Sequence, residues 1–79
     1  MPTAFILINT ELGLETTVVN DLMKIRGVEE AFKLYGTYGI IAKVKADTID
    51  KLRVILTQNI RRLGAIRSTL TLMSIEEKQ

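Results

Sequence analysis

Apolar and polar positions alternate at the start of the chain and again near its end, with two helix-spaced stretches between. In residues 3–9, TAFILIN, Ala4, Ile6 and Ile8 fall on one face and Phe5 and Leu7 on the other. That pattern predicts a strand with two apolar faces, both in need of cover. From Leu14 the period changes. Leu14, Val18, Leu22 and Ile25 lie on one helical stripe, and Gly27 follows as its C-terminal stop. Residues 28–35, VEEAFKLY, return to period two, with Val28, Phe32 and Leu34 on one side and Glu29, Ala31, Lys33 and Tyr35 on the other. The stretch from Gly36 to Gly39 then turns the chain as a hairpin.

Residues 40–46, IIAKVKA, form the next strand, with Ile40, Ala42, Val44 and Ala46 inward and Lys43 and Lys45 outward. Asp47 is placed to cap the helix that follows, and Asp50 in its first turn suits the positive end of the helix dipole. The core stripe of that helix is Ile49, Leu52, Leu56, Ile60 and Leu63, at spacings of 3, 4, 4 and 3. Gly64 ends it, AIRSTLTLMSI alternates as a last strand, and EEKQ is left as a solvated tail. The order strand, helix, strand, strand, helix, strand defines an α+β, ferredoxin-like βαββαβ fold: a four-stranded antiparallel sheet with both helices on one face. The other face is then uncovered. On this pattern it carries Phe5 or its neighbours with Thr69, Thr71 and Met73, a surface suited to another subunit.

Composition sharpens that expectation. Seventy-nine residues make one domain, 1–79, yet 47% of them are hydrophobic. A chain this short buries only about 60% of the surface its unfolded form exposes. The apolar excess therefore points to a homodimer and to higher assembly. Cysteine is absent, which removes disulfides and thiolate chemistry. The longest apolar runs, AFILI and GIIA, fall far short of the roughly 20 residues of a membrane span, and no signal-peptide pattern opens the chain. These features place it in the cytoplasm and away from membranes. A net charge of +2 does not by itself imply a polyanionic partner.

Histidine is absent too, and with it the commonest general base and a usual zinc ligand. The carboxylate pairs Glu29–Glu30 and Glu76–Glu77 are sequence neighbours on strand or tail, where adjacent side chains point to opposite sides and do not converge on a substrate. Capping explains Asp47 and Asp50 more simply than magnesium does. No enzyme, metal or cofactor is expected. Arg61, Arg62 and Arg67, in NIRRLGAIR, have the chemistry for phosphate contacts, but Arg61 and Arg62 sit opposite the core stripe, where charge is ordinary. The ring-free strand GIIAKVKA also lacks the aromatic platform of an RNA-binding sheet, and both helices are consumed by the sheet.

The most distinctive stretch is LYGTYGIIAKV, residues 34–44. Glycines serve a tight hairpin and tyrosines suit half-buried strand ends, which is a sufficient structural account. A functional one stands beside it. Gly36 and Gly39 let a ligand or a second backbone come close, Tyr35 or Tyr38 supplies a ring wall and a hydroxyl, and Thr69 and Thr71 share one side of the last strand. These are parts of a binding site without reactive groups.

Over residues 3–75 the chain resembles the effector-binding (RAM) domain of the Lrp/AsnC transcriptional regulators. RGVEEAFKLYGTYGIIAKVKA is similar to the family's Gly-Val turn, strand, G-x-Y-D hairpin and strand, and GAIRSTLTLMSI to its closing V-x-x-T-x-T strand. The resemblance implies a non-enzymatic module that binds a free amino acid between subunits and modulates regulation of amino-acid metabolism, in part by co-assembly with full-length Lrp/AsnC regulators. Its effector site would comprise Gly36, Tyr38, Gly39, Thr69 and Thr71. Backbone N–H groups near the glycines and the two threonine hydroxyls would take the ligand carboxylate. Two departures stand out. The chain starts at the first effector-domain strand, like the stand-alone members without a helix-turn-helix, which implies no direct DNA binding. The hairpin's usual acid is replaced by Gly39, leaving the ammonium to carbonyls and hydroxyl oxygens, so an aspartate there should strengthen binding. The alternatives are an assembly module with no ligand and a small dimeric ferredoxin-like enzyme.

Overall fold

The computed structural model describes residues 1–73. Strand β1, Thr3–Thr10, leads into helix α1, Glu15–Met23; β2, Val28–Lys33, and β3, Ile40–Lys45, form the central hairpin. Helix α2, Ile49–Val54, continues as a π-helical turn, Ile55–Asn59, before β4, Ile66–Met73. The strands form one antiparallel sheet in the order β2-β3-β1-β4, the ferredoxin-like arrangement the alternation predicts. Ser74, Ile75 and the EEKQ tail with Glu76 and Glu77 lie outside the described residues.

One face of the sheet builds the core. Ala4, Ile6 and Ile8 of β1 and Ile40, Ala42 and Val44 of β3 are almost fully buried beneath Val18 and Leu22 of α1 and Leu52, Ile55, Leu56 and Ile60 of the second helical segment. Both helices therefore cover the same face. Leu14 only precedes α1 and stays partly exposed, while Ile25 packs against the core from beyond the helix end.

The second helix departs from an even stripe. Ile60 donates its N–H to the Ile55 carbonyl five residues back at 2.9 Å, which widens the turn. Ile55, Leu56 and Ile60 reach the core through it, and Ile49 is left 48% exposed. The cap is also not Asp47. Thr48 has extended backbone and its hydroxyl accepts the Lys51 N–H at 3.1 Å, whereas Asp47 pairs with Lys51 at 3.7 Å. Asp50 does occupy the first turn.

Two register features correct the expected faces. Val28 stands opposite Val44, but Glu30, not Glu29, stands opposite Lys43. One extra residue bulges in β2 and reverses its alternation, so Val28 and Ala31 face the helices while Glu30 and Phe32 face away. On β4, Thr69 lies opposite Ile8, Thr71 opposite Ile6 and Met73 opposite Ala4, all on the helix side. The open face instead carries Phe5, Leu7, Ile41, Phe32, Leu70 and Leu72. β4 is an edge strand, so its threonines sit beyond the centre of helix cover: Thr69 is half-buried and Thr71 exposed.

Gly27 is not a helix stop, since α1 ends at Met23. It turns the chain into β2 at φ +102°, and its carbonyl accepts the Lys45 N–H at 2.8 Å. A Cβ there would stand 2.6 Å from Ile55 Cδ1 and 2.9 Å from the Lys45 carbonyl oxygen, so only a bare backbone fits.

Candidate functional site

The β2–β3 hairpin closes through the Leu34 N–H, which donates to the Gly39 carbonyl at 2.7 Å. Gly36 carries the unusual geometry, at φ +136°. Gly39 does not; its N–H donates to the Ile8 carbonyl at 3.1 Å and ties the hairpin to β1. Both backbone polar groups of Gly39 are thus committed inside the fold, and its N–H is not a free donor for a ligand carboxylate. Tyr38 is half-buried, and Tyr35 projects fully into solvent.

Thr69 and Thr71 share a side of β4, as alternation requires. They do not meet the hairpin within one chain. Ile8 stands between Ile40 at the hairpin's end and Thr69, paired with both, and is fully buried. Two strand spacings, about 9–10 Å, separate these walls. Gly36, Tyr38 and Gly39 therefore form one wall, and Thr69 and Thr71 belong to another at the same end of the sheet.

The second wall is richer than its threonines. A cleft of about 320 Å³ beside the start of β4 is lined by Arg61, Ile66, Arg67, Ser68 and Thr69. Its lining holds two guanidiniums and two hydroxyls and no carboxylate. Arg67 occupies the irregularity where the pairing with β1 shifts between Asn9 and Thr10, which brings it near Arg61 at the end of the second helical segment. The ion pairs among the described residues, Lys24–Asp21, Lys45–Glu29 and Lys51–Asp47, involve no arginine. Arg61 and Arg67 are recognisable in NIRRLGAIR as a basic cluster, but nothing in the sequence joins them to Thr69.

The first wall also has a member that spacing does not reveal. Glu15, in the first turn of α1, runs alongside the hairpin: a Cβ on Gly39 would lie 3.6 Å from Glu15 Cγ. Glu15 is half-buried. Its neighbour Thr16 accepts a hydrogen bond from the Lys33 ammonium at 3.2 Å. A larger groove, about 750 Å³ at the opposite end of the sheet, runs past Arg26, Lys45, Asp47 and Lys51. There Lys45 pairs with Glu29 at 4.0 Å and Lys51 with Asp47, while Arg26 is in none of the ion pairs among the described residues. No group of three or more potential metal ligands occurs among the described residues, and none of their helices is long and apolar enough to cross a membrane.

The sheet order, the helices on one face and the apolar open face define a one-sheet ferredoxin-like domain, a fold that by itself assigns no activity. The Lrp/AsnC ligand-binding domain model matches residues 3–79, and the chain belongs to that family. No curated protein matches it significantly by sequence. Among solved structures, FFRP-DM1 is 40% identical with a TM-score of 0.90, over 95% of this chain and 100% of its own. E. coli AsnC is 28% identical with a TM-score of 0.86, over 96% of this chain and 52% of its own, so the chain spans about half that regulator. The transcriptional regulator NMB0573 from Neisseria meningitidis, solved as an L-Met complex, shares the fold at 11% identity and a TM-score of 0.80, over 99% of this chain and 52% of its own.

Proposed function

We propose that the protein is a non-enzymatic effector-binding and assembly module: it binds a free amino acid where two copies meet and modulates transcription regulation through that assembly, including co-assembly with full-length Lrp/AsnC regulators. The observation that carries this is the pair of walls on either side of Ile8. The ammonium and carboxylate of an amino acid sit on one carbon, roughly 3 Å apart. Walls 9–10 Å apart, with a buried isoleucine between them, do not close on such a head group within one chain. The hairpin of one copy and the Thr69 wall of another can. Family membership and the L-Met complex of NMB0573 support the ligand class. The arginines and hydroxyls of the Thr69 cleft suit a carboxylate, since charge-assisted hydrogen bonds are roughly twice as strong as neutral ones.

The open face supports assembly. Phe5, Phe32, Leu70 and Leu72 are 40%, 56%, 45% and 55% exposed, with Leu7 and Ile41 half-buried among them. Full burial of such a side chain is worth about 1.5–3 kcal/mol. A symmetric pair of these faces gains about half of that for each residue, the driving force of the proposed assembly.

Calorimetric titration of the twenty amino acids into the assembled protein tests the reading. Saturable binding of at least one, weakened by Arg67→Gln or Thr69→Val, is expected. A correctly folded oligomer that binds none of them would be the purely structural module instead.

A further inference from the structure

We infer that Glu15 is the anionic group of the hairpin wall and receives the ammonium of the bound amino acid. This rests on the reading of the hairpin as an amino-acid site. An ammonium brings three donors and a full charge, and it needs acceptors, at least one of them charged if the site is to hold it against water. The hairpin from Leu34 to Gly39 contains no carboxylate. The Gly39 carbonyl is already taken by the Leu34 N–H.

The fold supplies what the hairpin lacks. Glu15 Cγ lies 3.6 Å from the point where a Gly39 Cβ would stand, and its carboxyl carbon, one bond further along, lies no more than about 5 Å from that point. A carboxylate carried by residue 39 itself would occupy the same neighbourhood. Apart from Glu15, no atom beyond the chain neighbours lies within 4 Å of the place a Gly39 Cβ would take. Among the described residues Glu15 has no ion pair, and the nearby Lys33 ammonium is engaged with Thr16. The first turn of a helix is an ordinary place for an acid, and the helix dipole alone accounts for its presence there. The dipole does not account for its placement against the one glycine of the hairpin that is free of positive φ and has room for a side chain.

The test compares wild type, Glu15→Gln, Glu15→Asp and the double variant Glu15→Gln/Gly39→Asp. Each is titrated with the tightest-binding of the twenty L-amino acids and with the same compound bearing a hydroxyl in place of the ammonium. Circular dichroism and light scattering confirm equal fold and assembly. Wild type should prefer the amino acid to its hydroxy analogue. Glu15→Gln should weaken amino-acid binding about tenfold or more, the size of one charged hydrogen bond, and leave the analogue unaffected. Glu15→Asp, which withdraws the carboxylate by one methylene, should fall between. An aspartate at position 39 should restore binding in the Glu15→Gln background and gain less in the wild-type background, where two carboxylates would crowd. Equal affinity of wild type and Glu15→Gln for the amino acid overturns this inference alone. Absence of amino-acid binding in wild type overturns it together with the hairpin reading.

Discussion

Phe5 on β1 and Leu72 on β4 stand directly opposite one another on the face of the sheet that no helix covers. Both remain largely exposed, at 40% and 55%. Cross-strand apolar pairs of this kind contribute about 0.2–1 kcal/mol within a sheet, and far more when a second surface covers them. Replacing either by glutamate should therefore break assembly and leave the helix-side core intact. Light scattering at micromolar concentration should give the mass of a dimer or larger for wild type and a lower mass for Phe5→Glu or Leu72→Glu. A monomeric wild type would remove the basis for a site between copies.

Gly27 and Gly64 should respond very differently to the same substitution. At Gly27 a methyl group meets Ile55 and the Lys45 carbonyl within 3 Å at positive φ, whereas at Gly64 nothing lies within 4 Å. Left-handed backbone and overpacking cost about 1–2 and 1–3 kcal/mol respectively, so Gly27→Ala should lose about 2–5 kcal/mol in urea unfolding. Gly64→Ala should change stability by less than about 0.5 kcal/mol. Similar losses for both would contradict the packing of the α1–β2 turn against the π-helical turn.

Thr48 and Asp47 divide the start of α2 between them, and only Thr48 accepts a backbone N–H. Thr48→Ala should cost about 1 kcal/mol, the usual effect of losing an N-cap. Asp47→Ala removes an exposed ion pair with Lys51 and should cost well under that. Thermal unfolding of the two variants ranks them directly, and the reverse order would return the cap to Asp47.

No sequence-specific DNA binding by this chain alone is expected. Val18 and Leu22 of α1 and Leu52 of α2 are locked against the sheet, and the net charge is +2. Whatever DNA the arginines of the Thr69 cleft retain should dissociate steeply as salt rises, because the contacts would be to phosphate. A gel-shift complex stable at physiological salt against competitor DNA would run counter to this.

The order of elements and most of the core follow from the sequence by itself. A strand and a helix impose different periods on their buried residues, and Ala4, Ile6 and Ile8, Val18 and Leu22, and Ile40, Ala42 and Val44 keep those periods without interruption. What the tertiary structure decided is which side each pattern faces wherever one residue breaks the count. The bulge between Val28 and Glu30 moves Phe32 to the open face, and Ile49, the first residue of α2, stays outside the core. Pairing with β1 sends Leu70 and Leu72, not Thr69 and Thr71, to the open face. Alternation distinguishes two sides of a strand without saying which is inside, and a shift of one residue exchanges them. The neighbours on which the proposed site rests, Glu15 with Gly39 and Arg61 with Thr69, are separated along the chain and meet only through the sheet and its connections. Local periodicity carries no information about such contacts, because they depend on how whole elements cross rather than on the spacing within any one of them.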